Sequence, residues 1–505
     1  MMKNVSLKPI YGVAAMLSLL LSVWLAYQNA VINPDGLCYL RSAANFAIAD
    51  WNNAVTVCGQ TRLPLYPFLI SVVSVLTPLS ALHAAFFLNA VFSIISVLCF
   101  IRITEALGGN KRVLLFAALS ILLAYDFNVL RADILRDHGF WAFYLLSILL
   151  LLKYMQVRTW AYAWCWSVSL LIASMFRIEA VYFLLGLPFV VILFSGVAAR
   201  GKTFLQLYSL SLLGLGCLGV ACALGLVQWD MPFLREHDVY FQLLHGGNLL
   251  LTSFHDASLA LKTHVLSHLA TEDSNILLVL FLAVWYLNCV VTSLTFFVSG
   301  LICYAWKKHV LVLVPEKRAV LLAYLSLNVL VTLAFLVENL FISKRYLLAL
   351  SLTLLLWVPF VLNYLYEKCS AKWFYILLTL FMLNAVGGIY SFGVSKNYIR
   401  LGGNWLATLP SDAKIYSNDE MILFYSQHFA ADLIAKGQSY QNLNTITAGK
   451  WRQFDYVALR NNMSEAAKNA AVIRELHAPM VKRYVNARGD EVLIYQVSQK
   501  KGSQL

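Results

Sequence analysis

Residues 80–103 read SALHAAFFLNAVFSIISVLCFIRI, an apolar run in which Arg102 is the only charged side chain. A helix needs about 20 apolar residues to cross the hydrocarbon core of a membrane, so this run predicts a transmembrane helix. Similar runs recur along most of the chain and predict a polytopic α-helical membrane protein with about eleven transmembrane helices. The predicted spans are residues 10–28, 80–103, 112–127, 139–154, 161–176, 180–197, 203–228, 275–304, 319–337, 346–365 and 373–392.

The composition supports this class. The 505 residues are 60% hydrophobic and only 12% charged, whereas soluble proteins carry about 25% charged residues. The net charge of +13 is interpreted as loop charge that orients the helices in the membrane, and not as a nucleic-acid surface. Membrane lipids are therefore expected partners, and nucleic acid is not.

The orientation follows from the positive charges. Lys3 and Lys8 precede the first run, which lacks a cleavage pattern and is interpreted as a retained helix with a cytoplasmic N-terminus. Residues 63–79 are apolar but begin with Leu-Pro-Leu-Tyr-Pro, so they are assigned to a helix at the outer interface and not to a span. The predicted cytoplasmic ends then hold more Lys and Arg than the outer loops before residue 393, as the positive-inside rule requires.

Two domains are predicted. Residues 1–392 form a transmembrane bundle with outer loops at 29–62 and 229–272, and residues 393–505 form a small soluble α/β domain on the same outer side. In the latter, residues 413–417 and 456–459 are predicted strands and residues 420–429 a helix. A closing hairpin is predicted over 481–497, turning at Arg488-Gly489-Asp490.

The cysteines and histidines give weak signals. Cys38 and Cys58 both fall in the first outer loop, but the unpaired state is favoured over a disulfide bond. His264 and His268 have the i, i+4 spacing of helical zinc ligands, yet without a third ligand a solvated loop is favoured. No metal site is predicted, and the sequence requires no cofactor, although a divalent cation stays open.

Ionisable side chains near the ends of apolar spans are expensive and often functional. Several outer loops bring such acids and bases to one face of the membrane. They are Asp35, Asp133, Asp137, Arg177, Glu179, Glu338, Lys344 and Arg345.

Four short motifs follow one another along this topology. Asp35-Gly-x-x-Tyr-Leu lies in the first outer loop, Arg62-Leu-Pro-Leu-Tyr-Pro comes next, Ile134-Leu-Arg-Asp137 opens the fourth span, and Tyr416-Ser-Asn-Asp-Glu420 begins the tail domain. This order resembles the membrane-embedded C-type (GT-C) glycosyltransferases, the group that contains protein mannosyltransferases and the lipid A aminoarabinose transferase.

The resemblance implies an activity and a location. It implies transfer of a sugar from a polyprenyl-phosphate donor, with inversion, at the periplasmic face of a bacterial inner membrane. Asp35 matches the essential carboxylate of the family and Asp137 its second acid, with Asp133 as the alternative. Some relatives carry a further acid beside the first, but here Gly36 follows Asp35, which argues against a metal.

The chemistry fits these residue types. A prenyl-phosphate sugar has a good leaving group, so a base that takes the acceptor proton is the main requirement, and Asp35 suits it. Cations would stabilise charge on the leaving phosphate, and Arg345 is favoured among them. The predicted substrate-binding residues are Arg62, Tyr66, Arg131, Asp133, Arg136, Arg177, Lys344 and Arg345.

Each assignment has a structural alternative. Asp35 and Asp137 have the positions of helix-terminal residues, the arginines suit ion pairs or contacts with lipid head groups, and Arg177 with Glu179 suits a structural ion pair. Two other functions also stay open, a transporter or flippase of lipid-linked glycans and a glycan polymerase or ligase. The acceptor is expected to be a lipid, glycan or other envelope component.

Overall fold

The computed structural model describes residues 8–57, 64–193, 200–223, 239–427, 454–462 and 466–497. The chain divides into two compact units. The helical unit comprises Met1–Leu25, Phe87–Ala132 and Arg136–Tyr390, and the mixed unit comprises Ala26–Phe86, Asp133–Leu135 and Ser391–Leu505. Each unit is described by itself.

The fold is mostly α-helical. Up to residue 223 the helices are α1 (Lys8–Gln28), α2 (Pro34–Ala47), α3 (Trp51–Thr56), α4 (Leu65–Leu76), α5 (Ala81–Ala106), α6 (Lys111–Leu122), α7 (Tyr125–Arg131), α8 (Asp137–Val157), α9 (Trp160–Phe176), α10 (Ala180–Leu193) and α11 (Arg200–Ala223). After residue 239 they are α12 (Val239–Ala260), α13 (Ser274–Leu294), α14 (Phe296–Lys307), α15 (Pro315–Asn339), α16 (Lys344–Leu355), α17 (Val358–Lys368), α18 (Ala371–Ile389), α19 (Asn397–Leu406), α20 (Glu420–Ser426) and α21 (Ala466–Leu476).

The described residues contain seven helical segments long and apolar enough to span a membrane, with α16 and α17 counted together as one segment, Lys344–Lys368, or eight if the bent pair α6–α7 counts as one span. All seven coincide with predicted spans, and the polytopic helical class is confirmed. Helices α9 and α10 are apolar but shorter. Large apolar side chains such as Phe281, Trp373 and Leu383 are exposed on their helices, as expected where lipid is the solvent.

Two predicted spans are interrupted by a bend or by an extended residue, and a third, residues 346–365, is divided into α16 and α17. Residues 112–127 form α6 and α7, which meet at a bend of 49°. Residues 275–304 form α13 and α14, because Thr295 adopts φ 73° and ψ 151°, a conformation that cannot continue a helix. The Thr295 hydroxyl accepts a hydrogen bond from Asn384 Nδ2 at 2.9 Å, which fixes the break. Apolar patterning reports which residues avoid water but does not locate such interruptions.

Two assignments outside the spans can be compared with the structure. Residues 65–76 form a helix of 12 residues, about 18 Å long and too short to cross a bilayer. Residues 239–260, which fall in the predicted outer loop 229–272, form α12. His264 lies in a π-helical turn and His268 in a 3₁₀ turn, and the extended residues Leu266 and Ser267 separate the two turns, so the two histidines do not share a helix face.

The mixed unit carries a four-stranded sheet in the order β1-β2-β4-β3. The strands are β1 (Ile415–Ser417), β2 (Tyr456–Asn461), β3 (Met480–Val485) and β4 (Glu491–Gln496). Strand β1 pairs parallel with β2, and the other pairs are antiparallel. Gly489 supplies the positive φ of 93° that turns the predicted β3–β4 hairpin. Apolar side chains of the sheet pack against Val472 and Leu476 of α21.

The prediction that Cys38 is unpaired is wrong. It is disulfide-bonded in the structure, whereas the unpaired state was favoured from the sequence. Cys58, the cysteine considered as its partner, lies outside the described residues. Pairing depends on the folded distance between two side chains, and sequence spacing does not give that distance.

Candidate functional site

The helical unit buries an ion-pair cluster around Arg177, which follows α9. Arg177 Nη1 donates a hydrogen bond to Asp137 Oδ1 at the start of α8. Arg177 Nη2 donates to Glu179 Oε1, and Nε donates to Glu179 Oε2 at 3.3 Å. The Arg177 and Asp137 side chains are only 8% and 4% exposed. The planar guanidinium fork explains how one side chain satisfies two carboxylates.

Two more arginines act on these acids. Arg136 and Arg345 lie close enough to interact electrostatically with the Asp137 carboxylate, and Arg136 also acts on Glu179. Three guanidinium groups and two carboxylates leave one net positive charge in the cluster. Arg136 and Arg345 are only partly buried.

Aromatic rings frame the cluster. The Arg177 guanidinium carbon lies 4.4 Å from the centre of the Tyr346 ring, and that of Arg345 lies 5.1 Å from it. Arg345 Nη2 also donates to the Tyr346 hydroxyl at 3.2 Å. Tyr346 in turn stacks on Phe335 with ring centres 4.3 Å apart. Such cation–π and stacking contacts restrict the rotamers of both arginines.

A pocket opens beside this cluster. It combines aromatic walls with amide, hydroxyl and carboxylate groups, a mixture suited to a polar ligand with apolar faces. It is lined by Phe140, Arg177, Glu179, Phe183, Asn328, Val331, Thr332, Phe335, Tyr346 and Ala349. The described residues hold no group of three or more His, Cys, Asp or Glu side chains arranged for a metal ion.

Lys344 takes a different partner. Its Nζ lies 3.5 Å from Asp126 Oδ1 and 3.4 Å from the Thr292 carbonyl. Asp126 is only 3% exposed, and its Oδ2 has no hydrogen-bond partner among the described residues. It follows the bend between α6 and α7. Asp126 is not among the site residues predicted from the sequence, although its charge at the end of an apolar run is a signal of function.

Arg131 is buried away from the other arginines. It is 2% exposed, and its Nη1 donates to the carbonyl and hydroxyl oxygens of Ser18 at 2.9 Å and to Ser22 Oγ at 3.1 Å. Its guanidinium carbon lies 4.7 Å from the Phe127 ring centre. These contacts make Arg131 an anchor for α1.

In the mixed unit, Asp35 lies half-buried in the first turn of α2, where the helix dipole favours an anion. Its neighbours are tightly fixed. Asn33 accepts a hydrogen bond from Ile134 N at 2.8 Å and donates to Ile134 O at 3.1 Å. A Cβ added at Gly36 would lie 2.8 Å from Ile134 Cβ. The structure thus joins two motifs that lie about 100 residues apart in the sequence, and it places Asp133 beside the junction.

The motif that begins at Arg62 holds two predicted substrate-binding residues, and the structure describes one of them. Tyr66 is fully buried and packs edge-to-face on Tyr39, with ring centres 5.3 Å apart. It therefore lies in the core of the mixed unit. Arg62 lies outside the described residues.

The helical bundle and the small sheet together define a fold class. The chain has the fold of the membrane-embedded C-type glycosyltransferases. It is similar to the crystal structure of ArnT from Cupriavidus metallidurans bound to undecaprenyl phosphate, with a TM-score of 0.56, 14% identity, and 98% of this chain and 99% of that chain covered.

A second solved structure has the same fold. The oligosaccharyltransferase of Archaeoglobus fulgidus, in its apo form, matches with a TM-score of 0.54 and 11% identity, over 99% of this chain and 75% of that one. The same protein in complex with an inhibitory peptide and a dolichol-phosphate gives a TM-score of 0.51 at 10% identity. No protein-family model and no curated protein sequence matches this chain.

Proposed function

We propose that this protein is a glycosyltransferase that moves a sugar from a polyprenyl-phosphate donor to a lipid or glycan of the cell envelope. The observation that carries the proposal is the net positive cluster of Arg136, Arg177 and Arg345 with Asp137 and Glu179. This cluster lies on a fold shared with an enzyme crystallised with undecaprenyl phosphate.

The arginines divide into two roles in this proposal. Arg177 has its three donor nitrogens committed to carboxylates, so it holds Asp137 and Glu179 in place. Arg136 and Arg345 are the phosphate-binding cations, and charge that grows on the leaving phosphate oxygen strengthens their interaction in the transition state. Tyr346 fixes the Arg345 guanidinium for this task.

Asp35 is the general base in this proposal. Its carboxylate takes the proton of the acceptor hydroxyl or amine as that atom attacks the anomeric carbon. The bond between the anomeric carbon and the phosphate oxygen breaks, and its electron pair stays on the phosphate. General-base assistance contributes about 100- to 10,000-fold in typical enzymes.

The compartment is also part of the proposal. We place residues 1–392 in the bacterial inner membrane and residues 393–505 in the periplasm as a soluble domain. The disulfide bond of Cys38 supports an oxidising compartment for the first outer loop.

The test is a lipid comparison of the host with and without the gene, together with Asp35→Asn. Mass spectrometry of membrane extracts is expected to show a prenyl-phosphate sugar that accumulates and an envelope glycan that loses one residue, in both the deletion and the Asp35→Asn strain. Asp50→Asn is the matched control, because Asp50 caps α3 in the same loop and an asparagine can keep that cap.

Other outcomes would contradict the proposal. Accumulation of whole lipid-linked oligosaccharides, with unchanged sugar composition, would instead indicate a flippase or a polymerase. Normal transfer in the Asp35→Asn strain would remove Asp35 from its assigned role.

A further inference from the structure

The Tyr416–Glu420 motif of the mixed unit forms a rigid connection between the sheet and α20. Asn418 Oδ1 accepts from Arg460 N at 2.7 Å, and Asn418 Nδ2 donates to Arg460 O at 2.9 Å, which ties the motif to β2. Asp419 caps α20 by accepting from Met421 N at 2.8 Å, and it also accepts from Arg460 Nη1 at 2.7 Å. Glu420 is therefore presented from a fixed position.

Glu420 reaches the helix that carries Asp35. Arg41 Nη1 of α2 lies 3.4 Å from Glu420 Oε2, and the two side chains are only 18% and 17% exposed. Burial raises the pKa of Glu420, and the nearby Arg41 only partly offsets that effect. Desolvation of both charges opposes the attraction in such a pair, so a buried ion pair is weak evidence for a stabilising role.

A second contact holds the other side of Asp35. The Tyr425 hydroxyl of α20 accepts a hydrogen bond from Ile32 N at 3.1 Å, immediately before Asn33, which binds Ile134. Asp35 thus lies between two points at which α20 holds the chain, one at Ile32 and one at Arg41. At 1.5 Å per residue, Arg41 is about 9 Å along the helix from Asp35.

We propose that Arg41, Glu420 and Tyr425 are positioning residues, by which the C-terminal segment sets the placement of Asp35 against the acceptor. This inference rests on the proposed function of Asp35 as the base. A misplacement of about 1 Å at a reacting group can lower a rate about 100-fold. The contacts themselves lie entirely within the mixed unit.

The test uses the full-length protein in detergent or nanodiscs, with Glu420→Gln and Tyr425→Phe. Hydrogen–deuterium exchange in residues 34–47 is expected to be faster in both variants than in the wild type. The thermal unfolding midpoint of Glu420→Gln is expected not to fall below that of the wild type. With a prenyl-phosphate sugar donor, kcat is expected to fall about 10-fold or more with KM unchanged. Exchanging the charges in the double variant Arg41→Glu, Glu420→Arg should restore part of the rate.

The control is Arg483→Ala, which breaks the Arg483–Glu491 ion pair of the β3–β4 hairpin, at 2.7 Å in the same unit. It is expected to leave both readouts unchanged. Wild-type exchange in residues 34–47 of the Glu420→Gln and Tyr425→Phe variants would overturn the inference, as would an unchanged kcat. A wild-type protein that transfers no sugar would instead overturn the proposed function, and the exchange measurement would still decide whether these residues hold α2.

Discussion

At the scale of single residues, Arg177 of the helical unit is constrained because one side chain must neutralise two buried carboxylates. It neutralises Asp137, which lies 40 residues earlier in the chain, and Glu179, which lies two residues later. Removing one partner of a buried ion pair leaves an uncompensated charge, which costs more than the intact pair contributes. The sequence suggested the Arg177–Glu179 pair from proximity, but the folded structure adds Asp137.

We expect Arg177→Ala to lower the free energy of unfolding by about 3–5 kcal/mol, because two buried carboxylates lose their counter-charge. Arg177→Lys should recover only part of that loss, because an ammonium cannot bind both carboxylates in the fork geometry. Thermal unfolding of the purified protein measures both.

Arg102→Ala is the control, since the Arg102 side chain is 54% exposed and its ion pair with Glu105 should contribute at most about 1 kcal/mol. Equal midpoints for Arg177→Ala and Arg102→Ala would contradict the structural role of Arg177.

Gly36 is a second constrained position, because the structure leaves little room there for a Cβ. We expect Gly36→Ala to cost about 1–3 kcal/mol, as overpacking does, because the added Cβ would meet Asn33 Oδ1 and Ile134 Cβ, each at 2.8 Å. Transfer activity should fall as well, since Asp35 is adjacent. Gly12→Ala in α1 is the matched control, because a Cβ there meets nothing within 4 Å. Similar unfolding midpoints for the two variants would show that the contact at Gly36 is not tight.

At the scale of elements, α20 joins the sheet to α2. Its N-terminus is set by Asp419 and Arg460, and its outward side chain Glu420 contacts Arg41. The strand, helix and hairpin patterns of this segment followed from local sequence, because alternation and turn residues act over a few positions. The partner of Glu420 could not be predicted from local sequence, because Arg41 lies almost 400 residues earlier in the chain.

The raised pKa of Glu420 gives a pH prediction. A carboxyl group whose pKa is higher in the folded than in the unfolded state binds its proton more tightly when folded, so it stabilises the fold at low pH and loses that contribution as the pH rises through its folded pKa. We therefore expect the unfolding midpoint of the wild type to fall relative to Glu420→Gln as the pH is raised from about 4 to about 7.

Arg41 and Asp419 are the charged groups that act on Glu420, so their state must be the same in both proteins. Glu475→Gln, at an exposed position of α21, is the control and should track the wild type. A wild type that gains stability over Glu420→Gln across this pH range would contradict the prediction.

At the scale of the whole molecule, the orientation in the membrane is the main prediction. If residues 65–76 do not span, the eleven spans predicted from the sequence place the C-terminus in the periplasm, on the opposite side from a cytoplasmic N-terminus. Alkaline phosphatase fused after Leu505 should then be active, and a cytoplasmic reporter fused there should be silent. The opposite pair of results would mean that this segment spans and that every later loop is reversed.

The sequence by itself determined the membrane class, the positions of most spans and the closing hairpin. These features depend on runs of apolar side chains and on turn residues, and both are local properties of the chain. It also singled out Asp35, Asp137 and Arg345 through the order of short motifs.

Only the tertiary structure decided which charges meet. It paired Asp137 with Arg177, Lys344 with Asp126 and Arg41 with Glu420, broke one span at Thr295, and buried Tyr66 and Arg131. An ion pair or a buried side chain is set by which helices pack together, and residues far apart in the chain meet through contacts that a linear pattern of hydrophobicity does not encode.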